Sequence, residues 1–194
     1  DASHVILKYT ESETTRVVSA SFSASSTQTV PLSSSLLSAV FSPFTPLKLT
    51  YLMPEGEGAR AVTADPDNSK PTAAFQTPFS EFLIAWPEKN TLSLVTRPSG
   101  NVAGFLFTHN LQTRELSKLL GDILGLDVAW SKSGSRLLYS SYDPQTRLSR
   151  LFAYDPKTGK SQDLATSALA SKCAFGFFNE AVVYCGIDPR PLPA

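Results

Sequence analysis

The segment Leu126–Leu164 constrains the fold more than any other part of the chain. Four short strand-like runs follow one another there: Leu126 to Trp130, Arg136 to Ser141, Arg147 to Asp155 and Lys160 to Leu164. Three turn signals separate them: Ser131 to Ser135 around Gly134, Tyr142 to Thr146 with Asp143-Pro144, and Pro156-Lys157-Thr158-Gly159. Gly, Pro, Asp and Ser punctuate a chain because they set or tolerate turn backbone angles. The remainder of the sequence reads as more or less worn copies of this unit.

Strand-like runs rich in β-branched and aromatic residues recur along the chain. They include His4–Tyr9, Thr15–Phe22, Gln28–Leu32, Leu36–Ser42, Ala59–Ala64, Thr72–Gln76, Glu81–Trp86, Thr91–Thr96 and Val102–Thr108. Leu47–Met53 alternates with period two, as a half-buried strand does. Turn signals every 8–12 residues or so point to an all-β sandwich, barrel or propeller. One stretch carries a helical period. Leu116, Leu119, Leu120, Ile123 and Leu124 stand at i, i+3, i+4, i+7 and i+8. With Gly121 inside it, the spacing predicts at most one short helix near 114–124. At the C-terminal end, Pro189, Pro191 and Pro193 forbid a regular strand or helix.

A repeat decides among the all-β alternatives. Four segments share an apolar run ending in an aromatic, a polar or Pro-containing turn, and a second apolar run ending in an aromatic. They are Val40-Phe41 with Leu47–Tyr51, Ala74-Phe75 with Phe82–Trp86, Ala129-Trp130 with Arg136–Tyr139, and Ala174-Phe175 with Ala181–Tyr184. The anchors Phe41, Phe75, Trp130 and Phe175 lie 34, 55 and 45 residues apart. Their mean of about 45 matches the ~40–50 residues of a propeller blade. The unevenness requires one blade with short outer strands and one with an insertion, placed at the 116–124 helix.

Ala129-Trp130-Ser131-Lys132-Ser133-Gly134-Ser135-Arg136-Leu137-Leu138-Tyr139 resembles the Trp-Ser-Pro-Asp-Gly-Lys-x-Leu/Ile-Ala-Tyr motif of TolB-type and other WD-repeat-like propellers. Lys132 and Ser133 stand where Pro and Asp are usual. Phe41-Ser42-Pro43 with Leu47–Tyr51 resembles the same motif with its Asp-Gly turn replaced, and Leu151–Leu164 is similar to the outer hairpin of such blades. The Trp-Asp and Gly-His pairs of true WD repeats are absent, as is the Gly-Gly of kelch repeats. The resemblance implies an all-β, β-propeller-like fold of about four blades of four-stranded antiparallel sheet. The expected organisation is one propeller-like domain over 1–194. Outer strands of a blade fall at 1–35, blades at 36–71, 72–125 and 126–170, and inner strands of a blade at 171–194. Either the two ends complete one blade between them, or the chain is an excerpt of a six- to eight-bladed propeller.

Two cysteines, Cys173 and Cys185, flank a hairpin centred on Asn179, which sets them opposite each other. Directly opposed residues on antiparallel strands are close enough to bridge. Two readings stand: a disulfide, which implies an oxidising compartment, or two buried free thiols. The 17 basic and 17 acidic residues leave no net charge, so no nucleic-acid partner is expected. No apolar run approaches the ~18 residues of a membrane span.

Catalytic chemistry has no sequence support. There is no Gly-x-Ser-x-Gly elbow, no phosphate loop and no metal-ligand spacing, so no cofactor or metal is expected. Asp65-Pro66-Asp67-Asn68-Ser69 lacks calcium-loop spacing and reads as a turn. His4, near a cut end, and His109, at a strand terminus after Phe107-Thr108, read as solvated polar residues at turns, without visible partners. His109, Trp86 and Trp130 are the candidate contacts at a ligand-binding face, with packing between blades as the plainer role for the tryptophans. The functional expectation is a non-catalytic propeller that binds a protein or peptide, at an extracellular, periplasmic or cell-surface location. The alternatives are the propeller domain of a secreted hydrolase and a structural surface-repeat module.

Overall fold

A computed structural model describes residues 3–187; the end carrying Pro189, Pro191 and Pro193 lies outside the described residues. Short turns between short strands leave each strand only its sequence neighbours to pair with, and the pairing is accordingly antiparallel and sequential. The first sheet holds β1 (His4–Glu11), β2 (Thr14–Phe22) and β3 (Thr27–Leu32). The second holds β4 (Ser38–Phe41), β5 (Leu49–Glu55), β6 (Gly58–Ala64) and β7 (Thr72–Thr77). The third holds β8 (Phe82–Glu88), β9 (Thr91–Thr96), β10 (Ala103–Asn110) and β11 (Leu116–Leu124). The fourth holds β12 (Asp127–Trp130), β13 (Leu137–Asp143), β14 (Leu148–Asp155) and β15 (Lys160–Asp163). A 3-10 turn at Ala170–Lys172 leads to a two-stranded sheet, β16 (Cys173–Phe175) and β17 (Val183–Cys185). No helix among the described residues is long and apolar enough to cross a membrane.

Two expectations require correction. The 116–124 segment is a strand, not a helix. Its pairing with β10 runs Phe107↔Lys118, Leu106↔Leu120 and Gly104↔Ile123, so β11 carries an extra residue at two places. Asp122 takes φ +60°, as a bulge residue does. These bulges bring Leu119, Leu120 and Ile123 against one core, which is why a strand carries helix-like spacing. Gly121 is demanded by close approach: a Cβ there would lie 2.8 Å from the Phe105 ring.

The second correction concerns a blade boundary. Residues 72–77 pair with β6 as the fourth strand of the second sheet instead of opening the third. Phe75 therefore lies on an outer strand, and the aromatic that ends the apolar run of the third sheet's first strand is Trp86 on β8. Phe41, Trp86, Trp130 and Phe175 are 45, 44 and 45 residues apart, so the repeat is regular and no insertion is needed.

The second strands are buried on both faces. Leu49, Thr50, Tyr51 and Leu52 are consecutively buried on β5, as are Leu137, Leu138, Tyr139 and Ser140 on β13. Sheets covered on both sides produce such unbroken runs. Each fully buried leucine contributes roughly 2 kcal/mol of transfer free energy. The serine after the inner aromatic shapes the turn that follows. The Ser131 N–H donates to Arg136 O at 2.9 Å, and its hydroxyl accepts from the Arg136 N–H at 3.2 Å. Ser42 repeats this with Lys48 O at 2.7 Å and the Phe44 N–H at 3.1 Å.

The chain packs as two compact units. One comprises the residues up to Leu92 with Asn110–Glu115; the other comprises Ser93–His109 with the residues from Leu116 onward. The first has a core of Val17, Leu36, Leu49, Tyr51 and Val62. The second packs around Leu106, Leu126, Leu137, Tyr139 and Tyr154, and around Leu138, Leu151, Ala168 and Ala170.

Candidate functional site

Each unit carries one feature that its packing does not require. In the first, antiparallel register aligns His4 with Ser21 on β2, and Ser21 with Gln28 on β3. The three side chains form a polar row across the sheet. Two positions on, Ile6, Ser19 and Val30 form the next row on that face. Opposite stands the loop between β6 and β7, and the space between is an open cleft of about 440 Å³.

That loop is held from several sides. The Ser19 hydroxyl donates to Pro66 O at 2.8 Å, and the Tyr51 hydroxyl donates to Asn68 Oδ1 at 3.0 Å. Asp65 accepts from Lys48 Nζ at 2.5 Å, with Lys70 Nζ at 3.4 Å from its other oxygen. The Lys48 hydrogen bond, above all, holds the Asp65 carboxyl below its ordinary value. Asp67 Oδ1 accepts from both the Ser69 N–H and hydroxyl, which hold its carboxyl low as well. Asn68 and Lys70 take φ +60° and +51°, a region that costs non-glycine residues energy. The turn role read from sequence for 65–69 is what the structure shows. Among the described residues no cluster of three or more His, Cys, Asp or Glu is arranged to hold a metal ion.

In the second unit the feature is the final hairpin. Cys173 and Cys185 are directly opposed with Cα atoms 4.1 Å apart, and a disulfide joins them. The turn sits at Asn179, whose side-chain oxygen accepts from the Ala181 N–H at 2.9 Å. Cys173, Phe175, Val183 and Cys185 pack back on the Leu138 core. Glu180 fastens the turn to the Ser131–Ser135 segment. Its carboxylate accepts from the Ser133 N–H at 2.8 Å and the Ser133 hydroxyl at 2.5 Å, the latter chiefly holding its carboxyl below the ordinary range. A glutamate from the next sheet thus supplies the carboxylate at a turn where Ser133 replaces the motif's aspartate. Lys132 Nζ lies 4.0 Å from the Phe177 ring centre, a cation–π contact. Outside these anchors the hairpin is apolar and open: Phe177, Phe178, Val182, Tyr184 and Ile187 are all exposed, Phe178 at 98%.

The residues singled out in sequence as ligand contacts lie elsewhere and are packing residues. Trp86 is buried and its indole N–H donates to Lys89 O at 3.2 Å. Trp130 donates its own to the buried Ser93 hydroxyl at 2.9 Å. His109 is not solvated; it is 5% exposed on β10, and burial pulls its imidazole below the ordinary value. The row His4–Ser21–Gln28 was missed, although pairing about the 12–13 and 24–25 turns places those residues together.

No known family profile matches the sequence, and no curated protein is significantly similar to it. Solved structures do match. TolB from Acinetobacter baumannii superposes with a TM-score of 0.63 at 12% identity, over 90% of this chain and 44% of that one. The fold is a TolB-like β-propeller. The propeller domain of the trilobed protease from Pyrococcus furiosus follows with a TM-score of 0.57 at 8% identity, over 84% of this chain and 53% of that one. A chain of a nidogen–laminin complex gives 0.59 at 8% identity, over 84% of this chain and 64% of that one. The chain thus spans under half the length of the TolB structure it matches.

Proposed function

We propose that this propeller segment is a non-catalytic binding domain, and that its partner is an extended peptide or protein strand laid along β17. The observation that carries the reading is the apolar, exposed surface of Phe178, Val182, Tyr184 and Ile187 on an edge hairpin. In the second to fourth sheets the second strand has a third at its far side; β17 has none among the described residues. An edge strand offers unpaired N–H and C=O groups, and flanking apolar side chains select the residues of the strand that joins it. The disulfide supports a location outside the reducing cytoplasm. Similarity to a protease's propeller domain supports a second reading, an accessory domain to a hydrolase.

Selection from a displayed library of extended peptides against the oxidised chain tests the first reading. The expected binders alternate apolar and polar residues and lose binding to Tyr184→Ser and Phe178→Ser. Absence of enrichment, or binders indifferent to both variants, would overturn it.

A further inference from the structure

The cleft of the first unit is a second site, unrelated to the hairpin. We infer that it binds a small hydroxylated carboxylate of monosaccharide size, of the uronate or aldonate type. The floor supplies a hydroxyl and a carboxamide: no hydrogen bond within the described residues engages the side chains of Ser21 or Gln28. His4 adds an imidazole whose Nδ1 shares a hydrogen bond with the Ser3 hydroxyl at 2.8 Å and whose ring meets Phe41 edge-on. The wall supplies the charge. Lys70 has three N–H donors, an 84% exposed side chain and, among the described residues, a single ion-pair partner, Asp65, which Lys48 already neutralises at shorter range.

The Asp65 carboxylate has little left to offer, being taken by the two lysines, whereas Ser69 engages only Oδ1 of Asp67 and leaves Oδ2 to accept from a ligand hydroxyl. The exposed Lys70 ammonium therefore favours a ligand with a carboxylate to accept its hydrogen bonds, and Asp67 one that also carries hydroxyls. Among the described residues Lys70 is the one lysine or arginine lining the cleft, and Asp65 and Asp67 stand beside it, which suits a single ligand carboxylate paired with Lys70 and disfavours a doubly charged phosphate. The Ser21 hydroxyl and Gln28 carboxamide both donate and accept, as neighbouring sugar hydroxyls require. The volume of about 440 Å³ lies in the range of small-ligand clefts. Preorganisation is built in. Ser19, Tyr51 and Lys48 fix the loop before any ligand arrives, and Lys70 is held at φ +51°. Backbone strain of this kind persists where surrounding structure enforces it, and it concentrates at binding sites.

Titrating the isotope-labelled chain with glucuronate, and in parallel with glucose and with acetate, tests the inference by amide NMR. Saturable shifts at Ser21, Gln28 and Lys70 with glucuronate are expected, with a dissociation constant in the millimolar range. Glucose and acetate bind at least about tenfold more weakly, each lacking half of the recognised groups. Lys70→Gln and Gln28→Ala, both surface changes, weaken glucuronate by about fivefold each, the loss of one hydrogen bond. Their spectra away from the cleft stay unchanged, which separates loss of binding from loss of fold. Non-saturating shifts, equal response to glucose, or full binding by Lys70→Gln would each overturn the assignment. None of these outcomes bears on the hairpin.

Discussion

The fourth sheet and the final hairpin are one motif written twice. Ala129 pairs with Leu138 in the former, and Ala174 with Tyr184 in the latter. Each hairpin follows an aromatic with a turn, Trp130 before Ser131 and Phe175 before Gly176. Yet Leu138 is 0% exposed and Tyr184 67%. The difference is not local. β13 has β14 paired along its whole length and the hairpin packed over Leu138, whereas β17 has neither among the described residues. Pattern and turn set pairing; the next layer sets burial. A lone two-stranded hairpin is marginal in water. This one is held by a disulfide, by the Glu180 carboxylate and by apolar contact on a single face.

The largest expected difference comes from truncating the paired positions. Leu138→Ala should cost about 3 kcal/mol, the transfer and cavity loss of a fully buried leucine. Tyr184→Ser should cost under about 0.5 kcal/mol in the same urea titration, as exposed positions do. Equal losses would erase the distinction between the two regions. Next comes the crosslink. Replacing Cys173 and Cys185 with serine should remove about 2–3 kcal/mol, appearing as faster amide exchange over 173–185 with 137–155 unchanged. Uniform acceleration would instead make both hairpins one cooperative body. Trp130→Phe gives the fourth sheet the aromatic that the final hairpin already has. It should cost about 1 kcal/mol in thermal or urea melting, since the buried Ser93 hydroxyl loses its donor.

Acid supplies the smallest effect. The folded pKa of Glu180 lies below its ordinary 4.5, so its contribution is full above that pH and fades as pH falls through the folded value. Exchange of the 176–182 amides should therefore rise below about pH 4.5, and Glu180→Gln should remove that pH step. An unchanged step in the variant would assign the acid response to another carboxylate.

Most of the architecture was legible because turn chemistry and period-two alternation act over a few residues. The four runs within 126–164 are β12–β15. The errors arose where two local rules competed. Thr77-Pro78 reads as a hairpin turn, but β7 and β8 belong to different sheets, so Phe75 displaced Trp86 as an anchor. Register shifts in β11 moved its leucines onto helical spacing. The cleft was not legible from Asp65–Ser69 alone, because that loop gains its meaning from a row on β1–β3 whose members are 17 and 7 residues apart. His109 resembled a surface residue because it ends an apolar run near a turn, and nothing in the surrounding sequence reveals burial.

The paired bulges of β11 have a consequence for how such a chain changes length. In a regular strand, losing one residue turns every later side chain to the opposite face. A bulge already holds one residue outside the ladder, so losing it restores regular pairing and leaves both flanks in phase. The segment 118–123 is thus slack taken up within a strand. Loss of a single residue there is absorbed within β11: the 44-residue spacing from Trp86 to Trp130 shortens by one while the pairing on either side stays in phase.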